Sequence, residues 1–136
     1  MKEVKKKGSM LSMLPVLLGM MAICVLSLMY LSYMSDYEKK EAADQLARQY
    51  MLKMESEGYM SETSKQHFIS AMSELGFSQV NLSGTTFADA GYGNTIMLIV
   101  NAVLTSDNYS VTDTLSITRS REDRRLYICK RSTAKN

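Results

Sequence analysis

The chain has 136 residues, a formal net charge of +2, one histidine and two cysteines. That length holds one small domain with a modest core, apart from any segment given to a membrane. One histidine and two cysteines far apart give little support to metal or nucleophilic chemistry, and no zinc-knuckle spacing or aromatic-basic interleaving points to nucleic acid.

Residues 1–8 form a basic leader, with Lys2, Lys5, Lys6 and Lys7 against Glu3. From Gly8 to Ser35, 28 residues pass without a charge. A cleaved secretory signal has an apolar region of roughly 7–15 residues followed by a small-residue cleavage site. Here the run is far longer, and its end, YLSYMSDYEKK, offers no A-x-A-like site. A spanning helix needs about 20 apolar residues. Residues 9–35 are therefore predicted to form a single transmembrane helix. Lys5, Lys6 and Lys7 hold the N-terminus on the cytoplasmic side, and Tyr30, Tyr33 and Tyr37 anchor the far end at the membrane–water interface. The expected location is the cell membrane, single-pass, with residues 36–136 extracytoplasmic. Pro15 and Gly19 lie in the first third of the run. They read either as an ordinary kink or as a flexible point that lets the helix pack in a bundle or leave the bilayer.

The helical pattern continues beyond Asp36. Ala43, Leu46, Ala47, Tyr50, Met51 and Met54 follow the i, i+3, i+4, i+7 spacing of an amphipathic helix. No Pro or Gly interrupts residues 20–57, and Gly58 reads as the stop. Residues 36–57 are thus an extracytoplasmic continuation, and residues 58–136 a small α+β domain. One helix from about Ser9 to Glu57 would be on the order of 70 Å long. Eight of the 12 methionines, Met10 to Met54, fall on it. They read as adaptable packing surface or as plain apolar filler.

Ser61 is a candidate N-cap with Glu62 in the first turn, and Phe68, Ala71, Met72 and Leu75 repeat at helical spacing before Gly76. His67, without acid or cysteine ligands nearby, reads as a surface or boundary residue. From Phe77 the period becomes two. FSQVNL is a first strand, GTTFADAGYGN a glycine-rich loop that lacks the features of a phosphate loop, and TIMLIVNAVLT an apolar strand either covered on both faces or central in the sheet. Residues 106–108 (SDN) read as a turn, YSVTDTLSITR as a half-exposed strand alternating Tyr109, Val111, Leu115 and Ile117, SREDR as a second turn, and RLYICKR as the last strand. The fold class is α+β: a long helix, a short one, then a small antiparallel sheet of three or four strands.

Arg119, Arg121, Arg124, Arg125, Lys130, Arg131 and Lys135 make the C-terminal stretch basic. It reads as a solvated hairpin and tail, or as a docking surface for an acidic partner or anionic lipid heads. Glu122 and Asp123 read as turn chemistry, and Glu55 and Glu57 stand at a helix end without a partner histidine. No intrachain disulfide is expected between Cys24, in the apolar run, and Cys129, which reads as a buried thiol in a strand or as a lone exposed thiol able to pair between chains.

A basic leader ending in glycine, a helix directly after it and an alanine-rich amphipathic continuation, in KKGSMLSMLPVLLG and EKKEAADQLARQY, resemble the TadE-type pseudopilins of tight-adherence (Flp) pili and their Gram-positive relatives. The resemblance implies a non-enzymatic structural or assembly component of a type IV (Tad/Flp-like) pilus or secretion apparatus. It implies cleavage by a prepilin peptidase between Gly8 and Ser9, helix packing through Met13, Pro15 and Gly19, and no cofactor and no metal. The implied partners are the lipid bilayer, other pilin-like or secretion-complex subunits and the peptidase. At one position the chain departs from the family. The glutamate usual at the fifth mature residue, which sets a subunit against its neighbour's N-terminal amine, is Met13 here. The alternative is an uncleaved single-pass scaffold of a secretion or conjugation complex.

Overall fold

The computed structural model describes residues 10–111 and 116–135. It is α+β: α1 (Met10–Glu57), α2 (Glu62–Glu74), then β1 (Phe77–Asn81), β2 (Thr95–Val111) and β3 (Ile117–Thr133) in one antiparallel sheet of order β1-β2-β3. Leu115 lies outside the described residues.

The first helix is unbroken over 48 residues and carries Pro15 within it. At 1.5 Å per residue it is about 70 Å long. It stops where Gly58 adopts φ +80°, a conformation that costs a residue with a Cβ roughly 1–2 kcal/mol. The Gly58 N–H donates to the Met54 carbonyl at 2.7 Å, closing the last turn. Ser61 caps α2 by accepting from the Ser64 N–H at 3.3 Å.

The outer half of α1 buries the stripe expected of it. Ala43, Ala47, Met51 and Met54 join Phe68 and Met72 of α2 over the inner face of the sheet. That face is built by alternation: Ile96, Leu98, Val100, Ala102 and Leu104 of β2 are all buried, and Ile128 of β3 and Phe77 of β1 complete it. The tail is tied back to the helix end, with the Lys135 N–H donating to the Glu55 carbonyl at 2.7 Å.

Two expected turns are strand. β2 runs through residues 106–108 and β3 through SREDR, in one register from Thr95↔Thr133 to Val111↔Ile117. The sheet has three strands, within the three or four expected, and the segment read as a separate third strand is shared between β2 and β3, which pair as one long hairpin. The polar residues that read as turn chemistry are cross-strand partners. Thr105 donates to Asp123 at 2.9 Å, Asn108 to Glu122 at 2.6 Å, and the Ser110 and Thr118 hydroxyls meet at 3.0 Å. Asp107 pairs with Arg119 and Arg121. Opposite charges and hydroxyls facing each other support a ladder as well as apolar pairs do. Cys129 is exposed on the outer face of β3 rather than buried, because it falls on the odd positions of the strand, opposite to Ile128.

Candidate functional site

The inner stripe of α1 extends toward the N-terminus past Ala43. Seven and eleven residues back on the same face stand Asp36 and Ser32, and both meet the hairpin. Asp36 is 6% exposed. Its Oδ2 accepts from the Ser106 hydroxyl and lies 3.7 Å from Arg124 Nη1. Arg124 Nη2 is 3.5 Å from Glu122 Oε2, which also accepts from Asn108. The Ser32 hydroxyl donates to the Asp107 carbonyl at 2.6 Å. Pairing with β1 ends at Leu104, so this hydroxyl serves a strand edge that β1 leaves open.

The hairpin is therefore clamped to the helix by a buried acid whose charge is met by a hydroxyl and a guanidinium. Among the described residues no buried side-chain nitrogen or oxygen lacks a partner. The polar capacity of the joint is spent on the contact, which makes it a structural clamp. No histidine or cysteine lines it, and His67 is exposed on α2.

Three further ties hold β3 and the tail on the outer half of α1. Lys130 Nζ lies 2.6 Å from Asp44, and Lys135 Nζ lies 2.6 Å from Glu55, which also accepts from Ser132. The hydrogen bond from Lys130 holds the Asp44 carboxyl below its ordinary range, and those from Lys135 and then Ser132 do the same for Glu55. Asp107 is lowered by its hydrogen bond from Arg119.

Clefts flank the joint. One of about 360 Å³ lies between Met29, Tyr30 and Tyr33 of the helix and Asn108, Tyr109 and Arg124 of the hairpin. Another of about 320 Å³ lies on the opposite side, between Leu28, Leu31 and Lys39 and Thr105 and Asp107. Farther down, an apolar groove of about 440 Å³ is formed by Ile117 against helix residues from Leu18 to Met29.

Of the residues singled out from sequence, Lys5, Lys6, Lys7, Gly8 and Ser9 lie outside the described residues. Met13, 75% exposed, stands on the bare part of α1 with Pro15, and nothing lies within 4 Å of a Cβ built on Gly19. The structure does not bring these three together with any other element. Tyr30, Tyr33 and Tyr37 are exposed near the helix–hairpin joint, and the first two line the larger cleft. Sequence reasoning missed Ser32, Asp36 and Ser106, and it placed Tyr109 only in a half-exposed strand and Arg124 only in the basic C-terminal stretch. The signal for Asp36 was present: it extends the Ala43–Ala47 face by two turns, so an acid there has to be buried or leave the stripe. Ser106 and Arg124 carried no such signal, because residues 106–108 and SREDR resemble turns.

Among the described residues, α1 alone is long and apolar enough to cross a membrane, with an 18-residue window of mean hydropathy 2.3 and none of that window buried. No three His, Cys, Asp or Glu side chains converge as a metal site would require among those residues.

Asp36→Ala will leave the Ser106 hydroxyl without its carboxylate acceptor and Arg124 with Glu122 but no acid on the helix, at a cost of about 1–3 kcal/mol. The effect will be local. Amide exchange will accelerate at residues 105–111 and 117–124 and stay unchanged at 96–102, where the core holds β2. Equal acceleration across the sheet would show that the clamp supports the whole domain rather than the hairpin.

Comparison with family models, with curated proteins and with solved structures gives no match.

Proposed function

We propose that the chain is a non-enzymatic, pseudopilin-like structural or assembly component of a type IV (Tad/Flp-like) pilus or secretion apparatus. In this reading its single N-terminal helix anchors it in the cell membrane, N-terminus cytoplasmic and sheet domain outside. The observation that carries the reading is the division of α1. Its outer half is packed by the sheet and α2, whereas Met13, Leu14, Val16, Leu17, Leu18, Met20 and Met21 are all exposed. Burying such a side chain is worth about 1.5–3 kcal/mol each, so this half needs lipid or other apolar helices around it. A stem that moves from bilayer to an assembly of like helices meets that need at both stages.

The second reading is an uncleaved scaffold of a secretion or conjugation complex, and two observations favour it. Met13 replaces the glutamate of the pseudopilins. Ile117 of the hairpin lies against the stem between Leu18 and Met29, where a filament neighbour would otherwise pack.

Intact mass and N-terminal sequencing of the protein from native membranes, with Gly8→Ile as control, separate the two. A mature chain starting at Ser9, lost in the control, is the expected result. A chain still carrying Lys5, Lys6 and Lys7 overturns peptidase processing and leaves the scaffold.

A further inference from the structure

The two edges of the sheet are protected differently. β1 has five residues, and its pairing with β2 breaks between Ser78 and Asn81, where Gln79 stands at φ +52°. A short, irregular strand offers little for another chain to pair with. β3 has neither device. It runs 17 residues in one unbroken register on β2 and contains no proline. Among the described residues no segment pairs with its far side. About half of the backbone N–H and C=O groups of an edge strand point away from the sheet, here in an uninterrupted row.

The side chains from Arg124 to Thr133 give that edge its sign. On the outer face the odd positions are Arg125, Tyr127, Cys129 and Arg131, all exposed. Arg124 and Lys130, on the inner face, are paired with Asp36 and Asp44, whereas Arg125 and Arg131 have no acid partner among the described residues. The acids nearest this stretch are already engaged. Asp123 accepts from Thr105, Glu122 from Asn108, and Glu55 from Ser132 and Lys135. Two uncompensated cations thus stand about 20 Å apart along the strand, with the Tyr127 ring, 64% exposed, between them.

The direction of β3 decides among occupants. Arg124 meets Asp36, Lys130 meets Asp44 and Lys135 meets Glu55, so the strand runs the same way as α1, outward from the apolar stem. A second copy pairing antiparallel at this edge would point its stem away from the bilayer, which two chains anchored in one membrane cannot do. A second copy pairing parallel and in register would set each Arg125 and each Arg131 against its own equivalent, and like charges opposite each other destabilise a ladder. Lipid heads are out of reach. Along α1, Asp44 lies about 12 Å beyond Asp36 and Glu55 about 28 Å beyond it, against a screening length of about 8 Å.

We propose that the edge of β3 from Arg124 to Thr133 is a strand-addition site for an extended acidic segment of another protein outside the membrane. The backbone of that segment continues the sheet, which supplies affinity, and its alternate side chains supply specificity. Carboxylates near its two ends meet Arg125 and Arg131, and apolar or β-branched side chains between them lie against Tyr127. The exclusion of a second copy and of lipid rests on the membrane-anchor reading of α1, whereas the pairing itself does not.

The test uses the full chain, labelled with nitrogen-15, in zwitterionic detergent micelles. The probe is a capped peptide, Glu-Thr-Val-Thr-Val-Thr-Glu, added to about 1 mM, where weak contacts are populated. Two controls replace both glutamates with lysine, or the first Val-Thr with Pro-Pro, which removes backbone donors on both sides of the strand. The expected result is slowed amide exchange confined to residues 124–133 with the glutamate peptide and with neither control. Arg125→Ala together with Arg131→Ala should weaken binding several-fold and leave the exchange of residues 96–102 unchanged. Equal binding of the proline peptide reduces the face to surface charge and overturns strand addition. Equal binding of the lysine peptide, or no effect at the highest concentration, overturns the acidic partner. Slowed exchange at 124–133 without peptide, rising with protein concentration, assigns the edge to a second copy and overturns the proposal. The same slowing on adding phosphatidylglycerol to the micelles assigns it to lipid and also overturns it. None of these failures touches the anchor reading, which the mature N-terminus and membrane retention test separately.

Discussion

If α1 is the membrane anchor proposed above, aspartate at both Val16 and Met20 will abolish the retention of the full chain in membranes after alkaline extraction. The two positions are one turn apart on the bare half of α1, 64% and 65% exposed, and neither lines the groove beneath the hairpin. Each charge near the bilayer centre costs about 2.5–3.5 kcal/mol on insertion, so the pair costs about 5–7 kcal/mol before the lost apolar burial is counted. The outer domain makes no use of either side chain, so its core is not disturbed by the change. Retention of the double variant in the extracted membranes would show that lipid does not surround this segment, and that the exposed face is covered by protein instead.

Phe68→Ala will destabilise the outer domain by about 3–5 kcal/mol, the range for truncating a buried aromatic. Phe68 is 0% exposed, and its ring meets Tyr50 of α1 edge-on, with centroids 5.1 Å apart and planes at 80°. It is the point where α2 is pinned to the long helix, and the truncation leaves a cavity between two elements that share few other contacts. A domain of this size has about 5–15 kcal/mol in total, so the loss removes a large part of it. Urea unfolding in detergent, followed by far-ultraviolet circular dichroism, measures it. Tyr50→Phe keeps the ring pair and should shift the midpoint far less. A loss below about 1 kcal/mol for Phe68→Ala, well under the range for a buried aromatic, would mean that α2 is not anchored through this residue.

The helices were legible because their signals are local. Periodic apolar residues, a serine N-cap at Ser61 and glycines at 58 and 76 act within a few residues of chain, and α1 and α2 form where those signals place them. The buried face of α1 was legible for the same reason, because 3.6-residue spacing is a property of the backbone itself, whereas Ile96 to Val100 are apolar at every position and do not say which side of β2 is buried. The hairpin was not. Residues 106–108 and SREDR have the composition of turns when each is read alone. Their strand character comes from facing each other in register, Asp107 against Arg121 and Ser106 against Glu122, across a sequence separation that no local pattern reveals.

The clamp was hidden in the same way. Asp36 looked like the first residue outside the membrane, free to be solvated, and its burial depends on Ser106 and Arg124 arriving from the far end of the chain. Sequence by itself determined the apolar helix, its amphipathic continuation and the α+β class, since each follows from short-range periodicity and the cost of exposing apolar surface. Only the tertiary structure decided that the last two strands are one long hairpin and that this hairpin lies down along the stem. Both depend on pairing between residues far apart in the chain, from Val111↔Ile117 out to Thr95↔Thr133 within the sheet and 70 positions apart at the clamp. There the energy comes from complementarity between distant polar groups, and no one segment carries the information.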